Sequence, residues 1–156
     1  PVLRDTYHVQ PFLGEAFYQM AYLQKEPVPV PESPFSVRPL DVSYLSPVAE
    51  IHKDEDEGYL RDRLESGVML GAFDGDILIG LIGVHGEGAM GLLQVHPDYR
   101  RRGVGKLLES HQINHHLAWG ETPYGSVLTA NTSSLALQRS LGMTASVPTF
   151  HWFFNE

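Results

Sequence analysis

The feature that most constrains the fold is a glycine turn flanked by cations, formed by Arg100, Arg101, Arg102, Gly103, Val104, Gly105 and Lys106. An apolar run at residues 90–95 precedes the turn, and residues 103–119 follow it with apolar residues at helical spacing. A glycine turn that opens a helix presents free backbone N–H groups at the positive end of the helix dipole. The arginines and the lysine add charge-assisted contacts. The segment therefore predicts a strand, a loop and a helix that together hold a pyrophosphate.

Two better-known phosphate motifs do not fit this turn. A Walker loop needs a longer spacing than that between Gly103 and Gly105, and it needs a serine or threonine where Leu107 stands. A dinucleotide-binding turn would need a further glycine at Leu108 and an early parallel strand–helix–strand unit. The remaining alternative to a phosphate site is a surface turn that only caps a helix.

Length and charge restrict the classes of function. A chain of 156 residues suffices for one sizeable core, so we expect a single domain with one appendage. The formal net charge of -8 argues against nucleic-acid binding, which needs a broad basic surface. No apolar run is long enough to cross a bilayer and no secretory signal is visible, so we expect no membrane partner and a cytoplasmic location.

Metal and thiol chemistry are not expected either. The chain has no cysteine, which excludes disulfides, thiolate metal ligands and a thiol nucleophile. His111 and His115 have the spacing of a helical metal pair. However, Gln112 stands where a zinc hydrolase carries its glutamate, and no third ligand is evident. We therefore predict no metal site.

The N-terminal segment is predicted to lie outside the main domain. Residues 11–23 have apolar residues at helical spacing and predict a short amphipathic helix. Residues 26–34 alternate proline with other residues, which favours an extended linker. The predicted division is therefore 1–34 for the helix and linker and 35–156 for the domain.

The predicted domain begins with a strand, two short helices and a hairpin. Asp74, Gly75 and Asp76 separate two apolar runs, and Asp-Gly between such runs is a strong hairpin signal, so these strands should pair antiparallel. The predicted strands are 35–40, 69–73, 77–84, 90–95, 126–130 and 144–154. The predicted helices are 46–51, 57–65, 103–119 and 133–141.

These elements resemble the Gcn5-related N-acetyltransferase (GNAT) superfamily, whose signature after the fourth strand is Gln/Arg-x-x-Gly-x-Gly/Ala. Arg100, Gly103 and Gly105 occupy its defined positions. The strand at 36–40, the hairpin around Gly75 and the late segment from Asn131 onwards extend the resemblance over residues 36–154. Residues 134–143 are similar to the branch that includes glycine N-acyltransferases.

The resemblance implies an α/β (α+β) domain with the acyl-CoA N-acyltransferase fold. Its mixed, mostly antiparallel sheet would splay between the strands at 90–95 and 126–130 and would be flanked by helices. The implied cosubstrate is acetyl-CoA, which leaves as coenzyme A. Its pantetheine arm would pair with the backbone of Leu93 and Val95, and its pyrophosphate would meet the N–H groups of residues 101–106. Asn131 and Ser134 would lie near the cofactor.

The implied reaction is the direct transfer of an acetyl or short acyl group to a primary amine on a small molecule or peptide. Glu87 is the first candidate for the base, because many relatives place a carboxylate there that works through water. His85 is the alternative, since histidine transfers protons near neutral pH. Gln138 stands where relatives often have a tyrosine as acid. The acid would then be solvent, Ser140 or Tyr124, or would be unnecessary.

Two functions from other classes compete with the enzyme. A non-catalytic acyl-CoA-binding or sensory module is consistent with Gln138 and with the extra N-terminal segment. An interaction protein would keep the fold without the ligand. For the assembly of the protein, we consider a homodimer.

Overall fold

The computed structural model describes residues 9–11, 15–150 and 153–155, with side chains for residues 15–150. The strands in these ranges are β1 (Val9–Pro11), β2 (Phe17–Ala21), β3 (Ser36–Leu40), β4 (Met69–Asp74), β5 (Ile77–Val84), β6 (Met90–Val95), β7 (Tyr124–Leu128), β8 (Thr144–Ala145) and β9 (Phe153–Asn155). The helices are α1 (Leu45–Ile51), α2 (Glu57–Glu65), α3 (Val104–Ala118) and α4 (Thr132–Ser140).

The main strands form two separate antiparallel sheets. The first has the order β3-β4-β5-β6, and the second has the order β7-β2-β8. β1 and β9 form a further antiparallel pair. This arrangement confirms the predicted α+β class and the division of the sheet between the strand at 90–95 and the strand that follows α3.

The first sheet is covered by helices on both faces, which explains why its two central strands are almost wholly apolar. Residues of β4 and β5 are buried along nearly their whole length. One core cluster joins α3 to this sheet and to the second sheet through Met20, Leu108 and Val127. The other cluster lies under α1 and α2 and includes Val48, Leu60 and Leu81. Burial on both faces replaces the alternating pattern of a half-exposed strand.

The predicted N-terminal helix is wrong, because Phe17–Ala21 is the central strand of the second sheet. All five of its residues pair with β7, from Phe17 opposite Leu128 to Ala21 opposite Tyr124. Met20 is fully buried, whereas Leu23, which the helix would have placed on its apolar face, is 72% exposed. The apolar spacing coincided with a helical period, but β7 and β8 both need a hydrogen-bonded partner, and that tertiary demand overrides the local pattern. Residues 12–14 of the predicted helix lie outside the described residues.

The proline-rich segment has no helix or strand, as predicted, but it is held against the domain. The backbone N–H of Val28 donates to Asn114 Oδ1 at 2.8 Å, and Asn114 Nδ2 donates back to Val28 O at 3.0 Å. Val28 is also part of the core beside α3. The division of the chain at residue 34 stays a prediction, but the described residues before it contribute to the same core as the rest.

Two later elements differ from the predicted bounds. The strand expected at 126–130 is Tyr124–Leu128, because the chain must turn before Asn131, whose side chain caps α4 by accepting from Ser134 N. The strand expected over 144–154 is reduced to Thr144–Ala145, a bridge from Phe150 to Phe17, and β9. Pro148 lies in the interruption, where it cannot donate to a ladder. The other predicted strands and helices are confirmed to within two residues at each end.

Met20→Ala tests whether β2 belongs to the core. Truncating this fully buried side chain should lower the free energy of unfolding by about 2–5 kcal/mol, because it leaves a cavity between the two sheets. Denaturant unfolding measures the change. Leu23→Ala is the matched control, since Leu23 is 72% exposed and its truncation should change little. Equal effects of the two substitutions would contradict this account of the segment.

Candidate functional site

The site lies in the gap between β6 and β7. On one side β6 pairs with β5, while β7 pairs with β2, and no pairing joins β6 to β7 within the described residues. The two strands touch where Gly125 meets Met90: a Cβ on Gly125 would lie 2.9 Å from the Met90 carbonyl oxygen. Only glycine allows this approach. Beyond this contact the free edge of β6 lines an opening.

A β-bulge lies in β6 at the opening. Gly91 pairs with Gly83 and Gln94 with Leu81, so Leu92 and Leu93 stand opposite the single residue Ile82. Leu92 has a φ of 59°, which is rare and unfavourable for a residue other than glycine. A bulge of this kind re-aims backbone groups out of the ladder and often lies beside an active site.

The opening between the two sheets is a cavity of about 260 Å³. Leu93 from β6, Val127 from β7 and Ser134 from α4 line it, and Glu109 from α3 and Gln138 from α4 supply its buried polar groups. A second groove of about 290 Å³ lies beside it and reaches Val95 and Arg100. Leu93 and Ser134 line both spaces, so the cavity and the groove adjoin.

Of the predicted binding residues, the glycine turn stands at the start of α3. Gly103 is the N-cap and has a φ of 78°, a left-handed conformation that favours glycine. The first bond of the helix runs from Leu107 N to Gly103 O at 3.0 Å. The N–H groups of Val104, Gly105 and Lys106 precede that bond and therefore have no partner within the helix. The Val104 side chain is buried in the core, so only its backbone is offered to a ligand.

The four cations of the turn have different environments. Arg100 is exposed, lines the groove and donates from Nε to Val95 O at 3.4 Å. The Arg102 guanidinium lies over the ring of Tyr99, 4.8 Å from its centroid, and therefore rests on the protein surface. Arg101 is exposed with a φ of 60°, and Lys106 is half-buried in the first turn of α3. The turn is thus cationic on its solvent side.

Asn131 and Ser134 are both at the cavity, as predicted for residues near a cofactor. Asn131 Oδ1 accepts from Ser134 N at 3.2 Å and from the Ser133 hydroxyl at 3.3 Å. The cap fixes the start of α4 beside the opening. Their predicted contact with a cofactor stays a prediction.

The two predicted bases lie at the other end of β6, in the turn from β5. Glu87 is exposed and does not line the cavity, and its carbonyl oxygen accepts from the Tyr124 hydroxyl at 2.6 Å. His85 is half-buried, with Nδ1 2.5 Å from the Tyr59 hydroxyl. Its ring fills the space where a Cβ on Gly91 would stand, and Gly91 lines the cavity. His85 therefore packs against Gly91, a residue that lines the cavity, whereas Glu87 faces solvent. Burial raises the pKa of Tyr59, and nearby Arg63 opposes that shift.

Glu109 is a further residue of the site that was not predicted from the sequence: it is only 2% exposed and lines the cavity. Gln138 Nε2 donates to Glu109 Oε1 at 3.4 Å. The second carboxylate oxygen, Glu109 Oε2, and the amide oxygen, Gln138 Oε1, have no partner among the described residues. Burial raises the pKa of Glu109 to about 7, and the bond from Gln138 opposes the shift. The sequence did contain a signal for this buried acid, because Glu109 lies among the apolar positions of residues 103–119. The helical spacing of those apolar residues was used only to predict the helix.

The described residues contain neither a cluster of metal-ligating side chains nor a helix suited to span a membrane. Within the described ranges, no three histidine, aspartate or glutamate side chains come together as a metal site would require. Burial lowers the pKa of both His111 and His115. The described helices also include none with the length and apolar character of a membrane span.

The divided sheet and its flanking helices match the fold of solved structures that are described as GNAT-family acetyltransferases. The sequence model of the family described as FR47-like protein matches residues 69–152, which is more than half of the 156 residues. The chain therefore belongs to the FR47-like family. That the chain is near the branch that includes glycine N-acyltransferases stays a prediction.

Solved structures with the same fold cover most of this chain. A Drosophila protein is 26% identical, with a TM-score of 0.76 over 93% of this chain and 51% of its own. A Novosphingobium aromaticivorans protein described as a GNAT-family acetyltransferase is 20% identical, with a TM-score of 0.71, and the match covers 88% of this chain and 63% of that protein's chain. The ribosomal-protein-S18-alanine N-acetyltransferase of Escherichia coli is 20% identical, with a TM-score of 0.64, and the match covers 72% of this chain and 79% of that enzyme's chain.

The chain spans about half the length of the Drosophila protein. A comparison with curated proteins by sequence gave no match. The similarities therefore establish the fold and the family.

Glu109→Gln should change how stability depends on pH. Because burial raises the pKa of Glu109 from 4.5 to about 7, the folded wild type binds more protons than the unfolded chain in this interval, and its stability falls as pH rises through it. The variant lacks this loss. Relative to wild type, it should gain roughly 2–3 kcal/mol between pH 5 and pH 8. Denaturant unfolding at both values measures the change.

Glu65→Gln is the control for this measurement, because it removes one exposed glutamate from α2. A stability difference between Glu109→Gln and wild type that does not grow with pH would show that Glu109 is not held in a desolvated site.

Proposed function

We propose that the chain is an N-acyltransferase that moves an acetyl or other short acyl group from acetyl-CoA directly to a primary amine. The observation that carries the proposal is the free edge of β6, which runs from the cationic turn at α3 to a cavity with buried polar groups. Acetyl-CoA has the matching sequence of parts: phosphates, an amide-containing arm and a thioester at the far end. Membership of the FR47-like family supports the same class of activity.

The residues present fit the cosubstrate along its length. The N–H groups of Val104, Gly105 and Lys106 would meet the pyrophosphate at the positive end of the α3 dipole, with Arg100 beside them. The backbone of Leu93 and Val95 would pair with the amides of the arm, as an added strand would. Two buried oxygens, on Glu109 and Gln138, have no hydrogen-bond partner among the described residues, and they lie where the inner part of a ligand would reach.

Acetyl-CoA supplies an activated thioester, and the chain positions it for attack. The bulge at Leu92 and Leu93 would direct a backbone N–H toward the carbonyl oxygen and stabilise the charge that develops there. An amine can attack only as the neutral species, so a base must accept its proton. Glu87 and His85 remain the two candidates for that base, Glu87 acting through water from its exposed position.

The acceptor in this proposal is a primary amine on a small molecule or a peptide. A cytoplasmic location and a homodimer stay predictions. The alternative function is a non-catalytic acyl-CoA-binding module, which Gln138 favours because a carboxamide cannot donate a proton as an acid does. Release of free thiol from acetyl-CoA in the presence of an amine separates the enzyme from the binding module.

Gly103→Asp tests the phosphate site through thermal stabilisation by acetyl-CoA. Wild type should melt at a higher temperature with the ligand, because the ligand binds the native state only. The variant should lose that shift, since its carboxylate would stand against the phosphates.

Gly120→Asp is a closely matched control for that experiment. Gly120 has a φ of 77° at the other end of the same helix, and neither glycine has an atom within 4 Å of an added Cβ, so both variants carry similar backbone strain and the same charge. If both variants keep the full shift, the phosphates bind elsewhere. If wild type shows no shift, the interaction-protein alternative becomes the better account.

Glu87→Gln and His85→Gln distinguish the two candidate bases. Loss of the true base should lower kcat by about 100-fold or more while the acetyl-CoA-induced shift in melting temperature is kept. Thiol release measures the rate, and the shift shows that the variant still folds and binds. If neither substitution slows turnover, neither residue is the base.

A further inference from the structure

We propose that Glu109 is the proton donor to the departing coenzyme A thiolate, an assignment that rests on the proposed acyl transfer. The position of the Glu109 carboxyl supports this assignment. Glu109 is only 2% exposed, and it lines the cavity that adjoins the cationic groove. Its Oε2 has no partner within the part of the chain that the structure describes.

The geometry of the opening places the thiol near this carboxyl. A ligand with its phosphates at the start of α3 passes through the groove at Val95 and enters the cavity at Leu93 and Ser134. The thiol is the end of the arm farthest from the phosphates, so it reaches the interior. The polar side chains buried there are Glu109 and Gln138, and only Glu109 can give up a proton.

The hydroxyl groups considered from the sequence do not occupy this position. The Tyr124 hydroxyl donates to Glu87 O at 2.6 Å, and the Ser140 hydroxyl donates to Leu137 O at 2.6 Å. Neither residue lines the cavity. Glu109 thus supplies at the cavity the acid function that Gln138, in the place of a tyrosine, does not.

The surroundings of Glu109 keep a substantial fraction of it protonated at neutral pH. Apolar side chains from β2, β5, β6 and β7 line the cavity, together with Ser126, Asn131, Ser134 and Gln138, so Glu109 is the single titratable group among the residues that line it. Burial therefore dominates and raises its pKa to about 7, with the Gln138 bond opposing. A thiol titrates near 8.5, so proton transfer from this carboxyl to a thiolate is favourable.

The step balances as follows. The amine nitrogen forms a bond to the thioester carbonyl carbon and loses one proton to the base. The carbon–sulfur bond breaks, its electron pair stays on sulfur, and the Oε2 proton of Glu109 moves to that sulfur. The products are an amide and a free thiol. Glu109 then takes back a proton from solvent, and the base releases one.

Steady-state kinetics of wild type and Glu109→Gln test the assignment. Thiol release is followed from pH 6 to pH 10 with a weakly basic amine that stays neutral throughout, so that the acceptor does not titrate. Wild-type kcat should fall on the alkaline side as Glu109 ionises. In the variant, kcat should be reduced by about 100-fold or more, and the KM for acetyl-CoA should stay within a few-fold of wild type. The alkaline fall of kcat that Glu109 causes should be absent. A variant with wild-type kcat and the wild-type pH profile would overturn the proposal.

Gln138→Met gives a second, directional test that keeps the acid. The Gln138 hydrogen bond lowers the pKa of Glu109, so its removal should move the alkaline fall of kcat to higher pH. A purely structural role for the pair would alter melting temperature and KM without moving that profile. If Glu109→Gln does not fold, Gln138→Met decides, and an unmoved or lowered alkaline fall contradicts the proposal. If wild type itself releases no thiol with any amine, the proposed function fails rather than this assignment.

Discussion

The missing hydrogen bonds between β6 and β7 are the constraint on which the rest of the structure depends. Backbone N–H and C=O groups require partners when they are removed from water, so a strand edge inside a domain must meet another strand, a side chain, water or a ligand. The edge of β6 faces β7, yet no ladder of hydrogen bonds joins the two strands, and they approach closely where Gly125 meets Met90. The second sheet, with β2 between β7 and β8, holds β7 at the distance that leaves the cavity open. The fold thus keeps a backbone edge available for a ligand.

Helix α3 contributes residues at both ends of this opening. Its N-terminus lies beside the groove, because a Cβ on Gly105 would lie 3.5 Å from Leu137 and 3.9 Å from Leu93, which both line the groove. One and a half turns later the helix places Glu109 in the cavity. Val104 and Leu108 of the same helix are buried against the first sheet, which fixes the helix relative to β6. Cationic turn, strand edge and buried carboxyl are therefore held by one packed unit. The carboxyl is costly to the fold, because a desolvated acid and a buried oxygen with no partner in the described part of the chain both lower stability. Such a cost is typical of functional sites.

Local patterns in the sequence predicted much of this structure. The Asp-Gly turn, the buried runs of β4 and β5 and the glycine turn before α3 each carry their own signal, and the structure has all three where they were expected. The N-terminal strand was missed because its role is set by β7 and β8, which lie more than 100 residues later in the chain. The bulge at Leu92 was equally hidden, since it depends on the register with β5. Glu109 was overlooked because only tertiary packing shows that its face of α3 points into a cavity.

In the proposed complex, one ligand spans the cationic turn and the buried carboxyl. A crystal structure of the protein with coenzyme A would show whether it does. We expect pyrophosphate oxygens within about 3 Å of the backbone N–H groups at Val104, Gly105 and Lys106. We also expect the arm to lie along β6 and the sulfur to lie in the cavity beside Glu109. Coenzyme A bound elsewhere, or an arm that leaves the gap without reaching Glu109, would disprove this arrangement.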